Sequence, residues 1–227
     1  LLYPDGKEVK PSELSVGDDL MHHQYPLPPD TPETPLYLSL SRESIFNHNL
    51  DSKEEEIAFI HGLFFAEGSC GTWGTLGNTK SSWIIYNQDY ELLYKALEIL
   101  NKHVGTFEIS EYYDSARIYH LRPKGDVKSI ATEYRKLFYD NRKYKVIPEY
   151  VLNSSYSVRH AFFVGYYAGD GNRHLKTGIV INNKGQIGTA MLMYLLNSLG
   201  YKVSISNGKR EDVYRLQCCV KFRNKKT

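Results

Sequence analysis

Cysteine is scarce in this sequence and long hydrophobic runs are absent. The three cysteines, Cys70, Cys218 and Cys219, are too few for a disulfide framework, and their spacing matches no zinc-binding motif. No run of about 18 apolar residues exists that could span a bilayer, and the sequence contains no secretory signal. These absences exclude a disulfide-rich secreted protein and favour an intracellular setting, cytoplasmic or nuclear, with no membrane partner.

The charges are unevenly distributed along the 227 residues. Residues 1–60 contain 4 Lys and Arg against 12 Asp and Glu, whereas residues 61–227 contain 24 against 14. The net charge of +2 therefore conceals a basic excess in the larger part of the chain. Such an excess is typical of nucleic-acid binding, although many enzymes with solvated surfaces reach similar values.

Proline separates an N-terminal flank from the rest of the chain. Five prolines between residues 26 and 35 exclude a helix or a central strand there and predict an extended, stiff linker. Residues 1–25 carry turn signals and predict short strands, one of them at 14–18. We therefore assign residues 1–50 to a flank and expect the main fold to begin at residue 51.

Two apolar runs, residues 60–68 and 163–171, share an unusual pattern. Each ends in one carboxylate followed by a glycine, and each carries two small residues four positions apart. Positions i and i+4 lie on the same face of a helix, so each run predicts a helix with a strip poor in side chains. Such strips allow two helix backbones to approach closely. The helix-packing residues are Gly62 and Ala66 in the first run and Gly165 and Gly169 in the second.

The carboxylates of the two runs, Glu67 and Asp170, are predicted to occupy the last position of their helices. Gly68 and Gly171 then fall where helix C-caps favour glycine. A negative charge at a helix C-terminus opposes the helix dipole, at a cost of about 0.3–1 kcal/mol. Two such carboxylates indicate either a shared divalent cation or simply two amphipathic helices that end in exposed acids.

The order of predicted elements recurs along the chain. Residues 84–88 align with 179–183, and residues 118–122 align with 213–217. The first copy predicts helices at 52–67, 89–105 and 126–139 and strands at 69–77, 81–88, 106–113 and 117–122. The second predicts helices at 157–170 and 185–199 and strands at 177–183, 201–206 and 213–222. The sequence therefore predicts an α+β fold built from a duplicated α-β-β-α-β-β-α repeat, with the last helix of the second copy missing.

Alternation along the predicted hairpins assigns their side chains to two faces. The inward set is Tyr119, Leu121, Tyr214, Leu216 and Cys218. The outward set is His120, Arg122, Arg215, Gln217 and Lys221. The outward face is either an ordinary solvated surface or, because both copies repeat it beside the carboxylates, a recognition surface.

Over roughly residues 50–222, the two runs and the repeat resemble the LAGLIDADG homing endonucleases in their single-chain, two-repeat form. The first run matches at Gly62, Leu63, Ala66, Glu67 and Gly68, and the second at Gly165, Asp170 and Gly171. Ala168 and Gly169 depart from the consensus letters but keep the residues small. The resemblance implies repeats at residues 51–148 and 149–227, with the two signature helices packed at the centre of two antiparallel sheet saddles.

Residues 9–18 look like the flank of an intein splicing domain. The resemblance therefore implies an intein-borne endonuclease inserted in a host protein. The sequence starts at Leu1 rather than at a nucleophilic Cys or Ser and ends without a His-Asn pair. We therefore expect an excised piece that does not splice.

The resemblance also implies an activity and the residues that carry it. It implies a monomer that cleaves both strands of a long double-stranded DNA target at a specific site, leaving a staggered cut. Glu67 and Asp170 would bind Mg²⁺, for which Mn²⁺ would substitute, whereas Ca²⁺ would bind without supporting cleavage. Gln88 and Asn183 would order solvent near the metal, and Lys145, with Lys143 as second choice, would supply a basic group.

The same resemblance places two four-stranded saddles along the DNA major groove. The candidate DNA-binding residues are Ser81, Trp83, Arg117, His120, Arg122, Lys143, Lys176, Arg215, Gln217 and Lys221. Trp83 could equally be a core residue. Arg and Gln side chains can read purine edges, and most Lys and Arg would contact phosphate. Two alternatives stay open: a protein of this family that binds nucleic acid without cutting, either an RNA-splicing maturase or a decayed endonuclease, and a scaffold that binds no nucleic acid.

Overall fold

The computed structural model has two crossing helices at its centre, with two antiparallel sheets and further helices packed around them. It describes residues 3–19, 28–32, 45–75, 78–112, 117–171, 179–208 and 210–219. The helices are α1 Lys53–Glu67, α2 Tyr90–His103, α3 Val127–Phe138, α4 Glu149–Leu152, α5 Tyr156–Asp170 and α6 Gln186–Ser198. The strands are β1 Gly68–Thr75, β2 Asn78–Asn87, β3 Phe107–Tyr112, β4 Ile118–Pro123, β5 Ile179–Lys184, β6 Lys202–Asn207 and β7 Val213–Cys219. The predicted α+β class is confirmed.

Helices α1 and α5 cross at the centre of the molecule with their backbones in contact. A Cβ added at Gly62 would lie 1.9 Å from the Phe162 carbonyl oxygen, and one added at Gly165 would lie 2.0 Å from the Phe59 carbonyl oxygen. The two contacts are equivalent in the two halves, because Phe59 and Phe162 each precede their glycine by three residues. No side chain fits at either glycine, and the predicted close packing of the two helices is confirmed.

Gly68 and Gly171 are the C-caps of the two helices, as predicted. Their φ angles are −79° and −66°, so both lie in the extended region and neither adopts the left-handed C-cap. A Cβ at Gly68 would lie 2.1 Å from the Phe64 ring, and one at Gly171 would lie 2.2 Å from the Tyr167 carbonyl oxygen. Glycine is required here because the chain leaves each helix against the preceding turn.

The start of α1 follows the sequence closely, whereas the start of α5 does not. The Glu55 backbone N–H donates to Ser52 Oγ at 3.2 Å, and the Glu55 carboxylate accepts from the Asp51 N–H at 2.9 Å. The predicted cap at Ser157 is wrong, since α5 begins at Tyr156 with Ser155 at the N-cap, and Ser155 forms no capping side-chain bond. The carboxylate of Asp30, from the N-terminal flank, accepts from the Tyr156 N–H instead.

The two sheets are antiparallel and bury their apolar faces against the helices. The first has the strand order β1-β2-β4-β3 and the second β5-β7-β6. Leu121, Leu216 and Cys218 are buried, while the side chains of Arg122, Arg215 and Gln217 are exposed, as predicted. Tyr119, His120 and Tyr214 are half-buried. Residues 172–178 lie outside the described chain.

Strand register corrects the alignment of the two copies by one residue. Ile85 pairs with Leu121, and Ile181 pairs with Leu216 in the second sheet. The structural counterpart of Asn183 is therefore Asn87, and the counterpart of Gln88 is Lys184. A shift of one residue exchanges the two faces of a strand. The predicted alignment would make the exposed Tyr86 the counterpart of the buried Ile181.

The N-terminal flank contributes a short turn and part of the hydrophobic core. Pro11–Glu13 forms a 3₁₀ turn, and no strand forms at the predicted position 14–18. Ile45 joins the hydrophobic core, which Phe46 and Leu50 also contact. Cys70 and Cys218 are buried thiols that are not part of a disulfide. Among the described residues, no helix is both long enough and apolar enough to cross a membrane.

Candidate functional site

Glu67 and Asp170 end the two central helices beside one another, which places two carboxylates at the junction of the two halves. A Cβ added at Gly169 would lie 2.7 Å from Ala66 Cβ and 2.9 Å from Glu67 Cγ, so small residues allow this approach. Desolvation and the charge of Asp170 raise the pKa of Glu67. Desolvation also raises the pKa of Asp170, and the Lys145 ammonium opposes both shifts. Within the described chain neither carboxylate forms an ion pair.

Lys145 supplies a positive charge that acts on both carboxylates. Its Nζ donates to the carbonyl oxygens of Phe64 and Phe65, both at 3.0 Å, in the last turn of α1. A cation at a helix C-terminus offsets the unfavourable end of the dipole. Burial lowers the pKa of Lys145 to about 8, although Glu67 and Asp170 act to raise it. Of the two predicted lysines, Lys145 lies near the carboxylates, whereas Lys143 is exposed in a turn with a positive φ of 66°.

A cleft of about 360 Å³ opens beside Glu67 and contains Gln88. Its other lining residues are Tyr86, Asn87, Asp89, Ile118 and Gly169. Tyr86 is 40% exposed and lies on the outward face of β2. Sequence reasoning missed it, because Tyr86 ends a run of four large apolar residues in which no alternation can be read.

Asn183 does not occupy the position equivalent to Gln88. Its amide donates to Thr189 Oγ1 at 3.1 Å and to the Lys184 carbonyl oxygen at 3.4 Å. Thr189 Oγ1 in turn donates to the Gly185 carbonyl oxygen at 2.7 Å. These bonds tie Asn183 to the first turn of α6. By register, Lys184 stands at the Gln88 position of the second half, and its Nζ lies 5.4 Å from the centre of the Tyr144 ring.

The carboxylate pair fits a hard divalent cation that takes its remaining ligands from outside the chain. Glu67 and Asp170 offer oxygen donors, which Mg²⁺, Mn²⁺ and Ca²⁺ accept. Their raised pKa values indicate that uncompensated negative charge is unfavourable at this point. Among the described residues no cluster of three or more His, Cys, Asp or Glu could hold a metal ion without help. Water and phosphate oxygens would have to complete the coordination.

The predicted surface residues differ in how available they are. Ser81 Oγ lies 3.2 Å from Thr72 Oγ1, within hydrogen-bond distance, and Arg117 is exposed at a positive φ of 47°. Arg122 pairs with Glu108 at 3.1 Å, and Lys124 pairs with the same carboxylate at 3.0 Å. Arg215 and Gln217 are exposed on β7. Lys176 and Lys221 lie outside the described residues.

Of the two roles that the sequence leaves open for Trp83, the structure shows the core residue and not the surface contact. Its side chain is 1% exposed and belongs to the core of the first half. The indole ring stacks on Phe64 with centroids 5.3 Å apart and meets Tyr134 edge-on. In the run from Trp83 to Tyr86 four large apolar residues follow one another, so the sequence does not reveal which of them face inward.

Comparison with known proteins gives relatives at the level of sequence and of fold. No family model matches the chain. The chain is 35% identical over 231 residues to a DNA polymerase of Acanthamoeba polyphaga mimivirus, a match that covers 100% of this chain and 12% of the polymerase. It is 26% identical over 151 residues to a DNA polymerase of Thermococcus hydrothermalis, which covers 65% of this chain and 8% of that protein. The chain thus spans about an eighth or less of the length of these relatives.

Solved structures of the homing endonuclease I-DmoI share the fold. A mesophilic variant superposes with a TM-score of 0.56 at 18% identity, covering 74% of this chain and 91% of that one. The complex of I-DmoI with DNA and Mn gives a TM-score of 0.55 at 19% identity, covering 74% and 90%. The class that the architecture defines is therefore that of an α+β protein with two sheets around paired central helices. More particularly, this chain has the fold of the LAGLIDADG homing endonucleases.

Proposed function

We propose that the chain is a site-specific, divalent-metal-dependent endonuclease that hydrolyses both strands of double-stranded DNA and leaves a staggered cut. The observation that carries the proposal is the pair of carboxylates, Glu67 and Asp170, at the ends of two helices in backbone contact. They lie between two sheets that turn Arg, Gln and His side chains outward. I-DmoI, which has the same fold, was crystallised with DNA and Mn and with DNA and Ca.

The proposed host context is an intein within a DNA polymerase. Two observations support it: the flank at residues 9–18 resembles an intein splicing domain, and the sequence relatives are DNA polymerases about eight times longer or more than the matched segment. The site would then act as a monomer, because one chain supplies both carboxylates.

In the proposed mechanism Glu67 and Asp170 would hold divalent cations through their carboxylate oxygens. Such ions activate water and stabilise the leaving oxygen when bound. The Lys145 ammonium, held by the Phe64 and Phe65 carbonyl oxygens, limits the repulsion between the carboxylates. Gln88, in the cleft beside Glu67, has an amide that can hydrogen-bond a water molecule. Each of these groups lies on or against α1, so the geometry of the site follows from the helix crossing.

The outward faces of the sheets would bind the DNA. Arg215 and Gln217 lie on the same face of β7 and could read purine edges in the major groove. The remaining Lys and Arg would contact phosphates, which gives affinity that falls with salt but carries little sequence information.

The test uses the polymerase gene that lacks the segment coding for this chain. With Mg²⁺ or Mn²⁺ we expect one staggered cut, and with Ca²⁺ we expect binding without cutting. Glu67→Gln and Asp170→Asn should each lose at least about a hundredfold in cleavage rate, while DNA affinity in Ca²⁺ stays within about threefold. Glu133→Gln, which removes an exposed carboxylate from α3, should cut normally.

Two results would contradict the proposal. Normal cutting by Glu67→Gln would remove the carboxylate pair from the mechanism. Tight DNA binding by the unaltered chain without cutting in any divalent metal would favour the alternative of a nucleic-acid-binding protein with the same fold, such as an RNA-splicing maturase or a decayed endonuclease.

A further inference from the structure

Lys145 does not belong to a helix or a strand. It lies in the segment between α3 and α4 that connects the two halves of the chain. The backbone of this segment is joined to the first half by a bridge between Tyr139 and Lys145 and by a 2.7 Å hydrogen bond from the Val146 N–H to the Phe138 carbonyl oxygen. These contacts fix one side of the segment only.

The other side of the segment rests on helix α6 of the second half. A Cβ added at Gly188, in the first turn of α6, would lie 2.2 Å from the Lys145 carbonyl oxygen and 3.3 Å from the Lys145 carbonyl carbon. The backbone of Lys145 therefore passes directly over this glycine. Any larger residue would have to displace either the helix or the lysine.

Tyr144 anchors the same segment to the second half. Its hydroxyl donates to Asp212 Oδ2 at 2.8 Å, and the Gly185 N–H donates to the Asp212 carbonyl oxygen at 2.8 Å. Gly185 has a φ of +96°, and a Cβ there would lie 2.7 Å from Tyr144 Cβ. Two successive residues of the connector, Tyr144 and Lys145, thus each pack against a glycine at the start of α6.

We infer that Gly188 is a positioning residue for Lys145, and that the Tyr144–Asp212 hydrogen bond supports it. The second half of the chain would thereby fix the position of the Lys145 ammonium. The last turn of α1 holds that ammonium near the carboxylates of Glu67 and Asp170. The catalytic consequence rests on the proposed function, whereas the positioning itself does not. A displacement of about 1 Å in a catalytic group can cost up to about a hundredfold in rate, and no flexible side chain separates Gly188 from the Lys145 backbone.

The experiment compares Gly188→Ala with Gly105→Ala, whose added methyl would meet open space. The first readout is the ¹³Cε chemical shift of Lys145 in protein carrying ¹³C-labelled lysine, assigned with Lys145→Met and measured without metal or DNA. We expect the Lys145 signal to move in Gly188→Ala and to stay in place in Gly105→Ala. The second readout is single-turnover cleavage at saturating DNA, which should fall about ten- to hundredfold in Gly188→Ala, with DNA affinity in Ca²⁺ within about twofold.

Tyr144→Phe keeps the test decisive if Gly188→Ala does not fold, as judged by its melting curve. This variant adds no bulk and removes only the hydrogen bond to Asp212, so the Lys145 signal should move and cleavage should fall about two- to fivefold. An unchanged Lys145 signal in the folded variants would overturn the inference. If the unaltered chain cuts no DNA, the proposed function fails, and the chemical shifts still decide whether Gly188 positions Lys145.

Discussion

Gly62 and Gly165 are the residues at which the backbones of the two halves come closest. Added Cβ atoms would lie 1.9 and 2.0 Å from carbonyl oxygens of the opposite helix, and backbone cannot move aside as a flexible side chain can. We therefore expect Gly62→Ala and Gly165→Ala each to destabilise the fold by about 3 kcal/mol or more, since overpacking a well-packed interior costs about 1–3 kcal/mol even when side chains can adjust.

Thermal melts check this prediction, with Gly105→Ala as the control in open space. For a chain of this size about 3 kcal/mol corresponds to a fall in Tm of about 6–12 °C. The control should melt within about 2 °C of the unaltered chain. Equal Tm values for all the variants would mean that the helices can separate without cost.

His61 gives the stability of the fold a dependence on pH. The imidazole is buried, and desolvation lowers its pKa to about 3. Its Nδ1 lies 2.7 Å from the Tyr150 hydroxyl in a hydrogen bond. The unfolded chain binds a proton at this residue below about pH 6.5, whereas the folded chain stays neutral, so stability must fall as the pH decreases from about 6.5 toward 3.

Urea unfolding at pH 7 and pH 5 measures the effect. The midpoint should decrease at the lower pH, and His61→Phe should reduce that decrease. His48, whose pKa is also lowered by desolvation, would account for part of what remains. A variant with the full pH response of the unaltered chain would show that His61 does not control it.

At the residue scale, the sequence was sufficient to predict the central residues of the site. It was insufficient to predict the contacts of the residues around them. Glu67, Asp170 and the small residues could be predicted because a repeated motif brings its own spacing. The burial of Trp83 and the contact of Lys145 with Phe65 could not, since a run of apolar residues has no readable alternation and a connector has no periodicity.

At the scale of elements, the N-terminal flank contributes the cap of a central helix. The Asp30 carboxylate accepts from the Tyr156 N–H at the start of α5 and from Arg159 Nη2 at 2.9 Å. Arg159 is 3% exposed, and its hydrogen bonds to Asp30 lower the pKa of that carboxyl even though desolvation acts to raise it. Thr31 Oγ1 donates to the Ser198 carbonyl oxygen at the end of α6, which ties the same segment to a second helix.

Asp30→Ala should therefore lower the stability by about 1–2 kcal/mol, because the helix loses its cap and the buried Arg159 guanidinium loses its carboxylate partner, keeping its bond to the Ser154 carbonyl oxygen. Glu13→Ala is the matched control on the same flank, since its pair with Lys10 spans 3.9 Å between side chains that are 57% and 80% exposed. Such exposed pairs contribute close to nothing. Comparable urea midpoints for the two variants would exclude a capping role for Asp30.

The helices and strands were largely predictable from the sequence, but the residue-by-residue alignment of the strands in the two copies was not. Helices and hairpins followed from periodicity and from caps such as Ser52 and Asp89, both of which accept a backbone N–H as predicted. The alignment of β2 with β5 failed by one residue, because Ile179, Val180 and Ile181 are all apolar and only the strand pairing decides between them. The cap of α5 comes from a residue far away in sequence, which no local pattern can reveal.

At the scale of the whole molecule, the two halves share a backbone plan but present different chemistry. Register places Tyr86 opposite His120 in the first sheet and Asn182 opposite Arg215 in the equivalent position of the second. The first pair is aromatic, with ring centroids 4.7 Å apart, whereas the second offers an amide and a guanidinium. Under the proposed function the two halves would read different base pairs, and the DNA target would be asymmetric.

Arg215→Ala tests this asymmetry. Within the described residues Arg215 forms no ion pair, whereas Arg122 in the first half pairs with Glu108. If Arg215 reads a base, its loss should relax discrimination at one base pair in one half-site by about 1–3 kcal/mol. For targets altered in the other half-site, Arg215→Ala should weaken binding equally at every base pair or leave binding unchanged. Arg122→Ala serves as the control, with a smaller loss because Glu108 already neutralises that guanidinium.

The measurement is a set of binding isotherms in Ca²⁺ with targets substituted one base pair at a time, repeated at several salt concentrations. Direct reading predicts that Arg215→Ala flattens the preference at a single position and leaves the salt slope nearly unchanged. A phosphate contact predicts the opposite, namely a uniform loss across all targets and a salt slope smaller by about one. That second result would assign Arg215 to backbone binding and leave the reading of the second half-site to Asn182 and Gln217.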